Sequence, residues 1–149
     1  MKLRLTNCSL ETSRKGQNAV GELMRAVHHG QVRVKHHDFE NFEGAWVLPD
    51  DPRRDGTILY LHGGGYTCGG LEYALGFGAA LADECGAKVF CAAYRLAPEF
   101  PFPAAVEDAA QAYEYLLKKG YLPEKISLCG ESAGGGLCFA LCLYLRQQG

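Results

Sequence analysis

The 149-residue sequence predicts an α/β fold, a mostly parallel sheet with helices on both faces. Three observations carry that reading. Short apolar runs of strand length alternate with longer stretches at helical spacing, which is the pattern of βαβ units. Two glycine-rich segments, 63–65 and 134–136, each follow closely on an apolar run. They fall where parallel sheets bind ligands, at the carboxyl ends of strands. Finally, residues 104–119 put Val106, Ala109, Tyr113, Leu116 and Leu117 on one face, with Glu107, Gln111, Glu114 and Lys118 opposite. That segregation marks an amphipathic surface helix.

Taken in order, residues 18–29 carry Val20, Leu23, Met24 and Val27 at helical spacing, with Gly30 as the stop and Gly21 as a weak point. Residues 32–38 and 43–48 read as strands joined by a turn around 41–44, and 50–56 as a polar turn. Residues 57–61 form an apolar strand that runs into the first glycine loop. Over 73–85 a helical stripe holds Tyr73, Phe77, Leu81 and Cys85, and 88–93 is the next strand. After the amphipathic helix come a strand at 126–129 and a helix at 133–147. That last helix is apolar nearly all round, so it expects protein on most sides. The strand before it should be central, yet no further strand follows to cover its edge. The fold is therefore expected to be incomplete, its C-terminal strands and helices lying on further polypeptide or on a partner chain.

Composition narrows the function. Apolar residues make up 48% and charged residues 21%, which suits a globular domain and not a disordered one. Net charge is −2 with no basic stripe, which argues against a nucleic-acid partner. Residues 1–17 interleave Lys2, Arg4, Glu11, Arg14 and Lys15 with short apolar pieces, so no signal peptide is expected. No run of eighteen apolar residues predicts a membrane span. Seven cysteines, an odd number without a C-x-x-C pair, fit a reducing, cytoplasmic setting.

The chemistry lies in two motifs. Gly130-Glu131-Ser132-Ala133-Gly134 follows a strand and opens a helix. A serine hydroxyl is a poor nucleophile unless a base takes its proton, and it must reach a carbonyl without crowding from its own backbone. Glycines on either side of Ser132 permit the sharp turn this needs. The helix N-terminus beneath adds positive potential. The competing reading is a glycine-rich helix start with an unreactive capping serine.

The second motif argues against that alternative. His62-Gly63-Gly64-Gly65 presents backbone N–H groups with no side chains in the way, and such donors stabilise a developing oxyanion. No Lys-Ser or Lys-Thr follows, which excludes a phosphate-binding P-loop. His62 is read as orienting the loop, not as the base. The pairs His28/His29 and His36/His37 read as surface histidines, with no cysteine or carboxylate spaced to complete a metal site. No metal or cofactor is expected. Asp83 and Asp108 fall on outward helix faces by pattern. Every histidine and aspartate precedes Ser132, so no triad acid or base is assigned.

The chain resembles the N-terminal half of the hormone-sensitive-lipase-like branch of the α/β-hydrolases. His62-Gly63-Gly64-Gly65-Tyr66, Tyr94-Arg95-Leu96-Ala97-Pro98-Glu99 and the Ser132 pentapeptide carry the resemblance, supported by residues 102–108. It covers roughly residues 45–149. It implies two parts: residues 1–43, a cap-like segment with the first strand, and 44–149, the N-terminal part of the catalytic domain. It makes Ser132 the nucleophile and the N–H groups of Gly64, Gly65 and Ala133 the oxyanion hole, with His62, Gly63 and Glu131 in support. Glu131 stands where the branch often has Asp. Arg95 and Glu99 are expected to anchor their loop. The family order places the acid and the histidine after the serine.

The implied activity is hydrolysis of short- to medium-chain acyl esters, acetyl-esterase-like, with a small-molecule ester as substrate. A homo-oligomer is a further option. Val20, Met24 and Tyr66 are weighed as lining an acyl pocket, against a plain core role. Two other readings stay open: a ligand-binding module, as in the plant gibberellin receptors that resemble this branch, and a remnant of the same fold.

Overall fold

The computed structural model describes residues 9–148. Cys8 and the leading part of residues 1–17 lie outside them. Ten elements follow in order: α1 (Leu10–Val27), β1 (Val32–Asp38), β2 (Glu43–Pro49), β3 (Thr57–Leu61), α2 (Leu71–Cys85), β4 (Lys88–Ala93), α3 (Ala104–Lys118), a single 3₁₀ turn (Pro123–Lys125), β5 (Ile126–Gly130) and α4 (Ala133–Gln148).

The sheet has five strands in the order β1-β2-β4-β3-β5. β3 pairs in parallel with β4 and with β5. The expectation of a mostly parallel sheet needs correction, because β1–β2 and β2–β4 are antiparallel and the sheet is mixed. The cause is the hairpin 32–49. A two-strand hairpin reverses direction without a helix, so it adds to the edge of the parallel core in the opposite sense.

Alternation along the strands sorts the core into two sides. On one side Trp46, Leu59, Leu61, Phe90 and Ala92 pack against α3 and α4, meeting Ala109, Ala112, Leu116, Leu137 and Leu141. On the other, Ala45, Val47, Tyr60, Val89 and Cys91 pack against Leu71, Ala74, Leu75, Ala79 and Ala82 of α2. The buried face of α2 thus joins Leu71 and Leu75 to a run of small residues, and Tyr73, Phe77 and Leu81 from the expected stripe are only half-buried beside it. Small side chains let the helix lie close on the sheet. A pattern search weighted to large apolar residues picks the flanks instead.

Helix α1 packs on α2, not on the sheet. It begins at Leu10, eight residues before the predicted start at 18, because Ser9 caps it: the Ser9 side chain accepts from the Thr12 N–H. Gly21 is no weak point. It is the crossing with α2, where an added Cβ would run into the backbone of Glu72 and Tyr73.

Helix α4 buries Leu137 and Leu141 but leaves Phe139 76% and Leu143 52% exposed. Its strand, β5, forms the sheet edge opposite β1 and is only partly buried. No helix among the described residues is long and apolar enough to cross a membrane.

Candidate active site

β3 and β5 are direct parallel neighbours, with Leu61 opposite Gly130, so both glycine motifs leave the sheet side by side at its carboxyl edge. Ser132 sits in the two-residue gap between β5 and α4 with φ of 52°, a left-handed conformation that non-glycine residues seldom adopt. Such strain persists only where the surroundings enforce it. Here they do. Gly130 and Gly134 lie so close to the Leu61 carbonyl that a Cβ at either would clash with it. The turn is closed by Gly134 N–H donating to the Glu131 carbonyl at 2.9 Å and Gly136 N–H to the Ser132 carbonyl at 3.2 Å. Ser132 is left exposed at the start of α4.

The first glycine loop is held from several sides. Gly64 and Gly65 have φ of 123° and 62°. The Gly64 carbonyl accepts from the N–H groups of Thr67 and Cys68. The Gly63 N–H donates to Glu131 Oε1 at 2.5 Å, and the Tyr60 hydroxyl donates to Glu131 Oε2 at 2.6 Å. Glu131 thus ties the loop after β3 to the turn after β5. Among the described residues, the N–H groups of Gly64, Gly65 and Ala133 donate to no backbone or side-chain acceptor. Three unpaired donors therefore lie on the two turns that Glu131 joins, one of which carries the exposed serine. Burial pushes the Tyr60 hydroxyl pKa well up, and its bond to Glu131 adds to the effect.

His62 is fully buried and lies flat on Tyr94, ring centroids 4.3 Å apart. Its Nδ1 faces the Gly63 carbonyl at 2.7 Å, so that nitrogen carries the proton and Nε2 has no partner. Burial lowers its pKa and keeps the ring neutral. The Tyr94 hydroxyl donates to the His62 carbonyl. His62 makes no hydrogen bond to Ser132; its contacts are those of a residue that braces the loop.

The Tyr94–Glu99 segment is anchored as expected, through charged hydrogen bonds. Arg95 Nε and Nη2 fork onto Asp108, with Nη2 to Oδ1 at 2.7 Å, and the Arg95 N–H donates to Oδ2 at 2.8 Å. Asp108 is completely buried, which corrects the reading that placed it on an outward face. Its partner comes from a separate segment, so no local pattern announces it. Asp83 is partly covered too, accepting from His28 Nδ1 at 2.8 Å.

Glu99 pairs with Arg14 of α1, Nη2 to Oε2 at 2.7 Å, which holds its carboxyl down at about 2. Arg14 also donates to the carbonyls of Thr67 and Ala97, joining α1 to the far end of the glycine loop. Sequence reasoning missed Arg14, Tyr60 and Tyr94, because each acts on a carbonyl or carboxylate remote in the chain. Of the residues weighed for an acyl pocket, Val20 is 50% exposed on α1, and Tyr66 reaches over the first turn of α4 near Gly136.

His28, His29, His36 and His37 lie on α1's end and on β1, away from the serine turn. No group of three metal-ligating side chains occurs among the described residues.

This arrangement is that of a strand–turn–helix serine beside a glycine loop on a neighbouring parallel strand, and the chain belongs to the α/β-hydrolase family: residues 58–149 match the family described as alpha/beta hydrolase fold. Within it the chain falls in the hormone-sensitive-lipase-like branch. It is 49% identical over 105 residues to an acetyl-hydrolase of Streptomyces hygroscopicus, covering 70% of this chain and 34% of that protein. It is 38% identical over 109 residues to human hormone-sensitive lipase, covering 70% of this chain and 10% of the lipase. Among solved structures it resembles an esterase/lipase from an uncultured bacterium, with TM-score 0.84 and 34% identity over 99% of this chain and 49% of that one. The chain thus spans about a third of the acetyl-hydrolase and about half of the esterase structure.

Proposed function

We propose that this chain is the nucleophile-bearing part of a serine carboxylic-ester hydrolase acting on small esters with short- to medium-chain acyl groups, acetyl esters foremost. One observation carries the reading: Ser132 is held exposed in a left-handed turn that Glu131 ties to the glycine loop, and the N–H groups of Gly64, Gly65 and Ala133 on these two turns are unpaired among the described residues. The acetyl-hydrolase relative supports the acyl preference.

In this reading the Ser132 hydroxyl attacks the ester carbonyl, forming the Ser132 O–C bond while its proton passes to a histidine. The carbonyl electrons move onto oxygen, where the N–H groups of Gly64, Gly65 and Ala133 receive them; each such donor contributes roughly 10²–10³ in rate. Collapse expels the alcohol, which takes the proton, and water repeats the sequence to free the acid. Among the described residues no histidine bonds Ser132, so the base and its acid partner are assigned to residues beyond 149 or to a partner chain. Residues 1–43 serve as a cap-like segment with the first strand, and Arg14 of α1 fixes that segment to the loop. The serine, the loop and the fold need no metal or cofactor for this chemistry.

The test is p-nitrophenyl acetate turnover by the assembled enzyme, wild type against Ser132→Ala. Loss of roughly 10⁴–10⁶ in kcat is expected, the scale at which single triad residues fail. Unchanged turnover in the variant would sink the proposal. Fluorophosphonate labelling of Ser132 separates the enzyme from a pure ligand-binding module, since only an activated serine reacts.

A further inference from the structure

At the opposite edge of the sheet from Ser132, the C-terminal end of α3 stands over the strand face formed by β1, β2 and the start of β4. A cleft of about 470 Å³ opens there. Its lining combines three lysines, Lys35, Lys88 and Lys119, with three aromatic side chains, Trp46, Tyr115 and Tyr121. A second hollow of about 380 Å³ adjoins it and shares Lys88, Lys119 and Tyr121. These volumes suit a small molecule and not a polymer.

We infer that this cleft is a second binding site, separate from the serine turn, for a small ligand that joins a planar aromatic ring to an anionic group, in the size class of a mononucleotide. Charge supplies half of the case. The three lysines are exposed, and among the described residues none has a carboxylate within ion-pair distance. No acidic side chain lines the larger cleft. In the adjoining hollow, Asp55 is already engaged by Lys125 at 3.3 Å. The C-terminal carbonyls of α3, which would repel an anion, are capped: Leu116 accepts from the N–H groups of Lys119 and Tyr121, and Leu117 from Gly120.

The rings supply the other half. Tyr121 stacks on Trp46 at 5.9 Å, and Tyr115 is fixed by the Trp46 indole N–H donating to its hydroxyl at 3.0 Å. The Lys119 ammonium lies 5.3 Å from the Tyr115 ring centroid, so charge and π-surface meet at one wall. A rigid aromatic wall beside unpaired cations reads a flat anion better than either part reads its half alone.

The experiment uses 5′-AMP as probe, with adenosine and inorganic phosphate as its uncharged and ringless halves. Trp46 is the sole tryptophan, so its fluorescence reports the cleft directly. Equilibrium dialysis of labelled AMP gives an independent reading. Expected are saturable quenching with a Kd on the order of 1 mM or tighter, adenosine and phosphate each at least about tenfold weaker, and weaker binding in high salt. Lys119→Ala alone should weaken AMP about threefold, the scale of one partly exposed charge contact. The triple Lys35→Ala, Lys88→Ala, Lys119→Ala variant should abolish saturation at an unchanged unfolding midpoint. Absence of saturable AMP binding, undiminished binding in the single and triple variants, or phosphate binding as tightly as AMP would each overturn the inference. Ester turnover plays no part in the readout, so the result stands apart from the Ser132 reading.

Discussion

Replacing Asp108 by alanine tests an ion pair whose carboxylate is fully buried. Its carboxylate has no solvent exposure and accepts from three donors of Arg95: Nε, Nη2 and the backbone N–H. Removing one partner of a buried pair costs about 3–5 kcal/mol, because the other charge is stranded. Two facts place this case at the low end. The Arg95 side chain is 19% exposed, and it keeps a second, exposed partner in Glu107 at 3.3 Å. The expected loss is therefore ~3 kcal/mol. At ~2–4 °C per kcal/mol for a chain of this size, the Tm should fall by ~6–12 °C. Asp108→Asn keeps an acceptor for the Arg95 N–H and should lose about half as much. Chemical denaturation of both single variants, Arg95→Ala and the Asp108→Ala/Arg95→Ala double gives the coupling, expected above ~1.5 kcal/mol. A drop under ~2 °C for Asp108→Ala, or additive single effects, would refute the argument that this pair anchors the Tyr94–Glu99 segment.

Three further outcomes are expected. Glu131→Ala strands the Tyr60 hydroxyl and frees the Gly63 N–H, so kcat of the assembled enzyme should fall about 10²-fold with KM little changed, as expected when catalytic groups are misplaced by ~1 Å; steady-state kinetics decide, and an unaltered kcat would show the tie to be dispensable. Gly21→Ala should destabilise by roughly 1–3 kcal/mol through the clash with α2, whereas Gly16→Ala on the same helix, where a Cβ meets nothing, should stabilise by up to ~1 kcal/mol; equal effects in thermal unfolding would contradict the crossing. His62 has its pKa lowered by burial from 6.5, so below pH 6.5 the unfolded chain takes a proton that the native chain refuses. Its contribution is complete above that pH and declines below it. His62→Phe should flatten the fall in Tm between pH 7.5 and 5, and an identical slope in the variant would argue against a buried neutral ring.

Much of this molecule could be read from sequence where a signal is local. β3 and β4 occupy the predicted residues, since continuous apolar runs bounded by turns leave little choice of frame. β5 runs one residue further, to Gly130, because its last pairing is with Leu61 and not set by its own composition. The glycine motifs were legible for the same reason, being contiguous. What escaped was contact between segments. Asp108 looked solvated because α3 buries a narrow stripe of alanines with Leu116, and the carboxylate inside that stripe is neutralised by an arginine from another loop. α2 misled in the opposite way, burying Leu75 and a run of small residues and not the stripe of Tyr73, Phe77 and Leu81. The first two turns of α1 are polar, so hydropathy was silent, although Ser9 and Thr12 carried a capping signal.

The pairing of Leu61 with Gly130 joins points separated by roughly seventy residues of chain, a closure whose entropic cost is met only when the parallel core assembles. Helices and hairpin can each form from neighbours in sequence. The meeting of loop and serine cannot. A collapsed state with native helices but without the β3–β5 ladder would hold every residue of the site and none of its geometry. On the role proposed for Ser132, its covalent capture in the assembled enzyme would count completed sheets. Followed through refolding, it would act as a clock for the slowest long-range step and not for secondary structure.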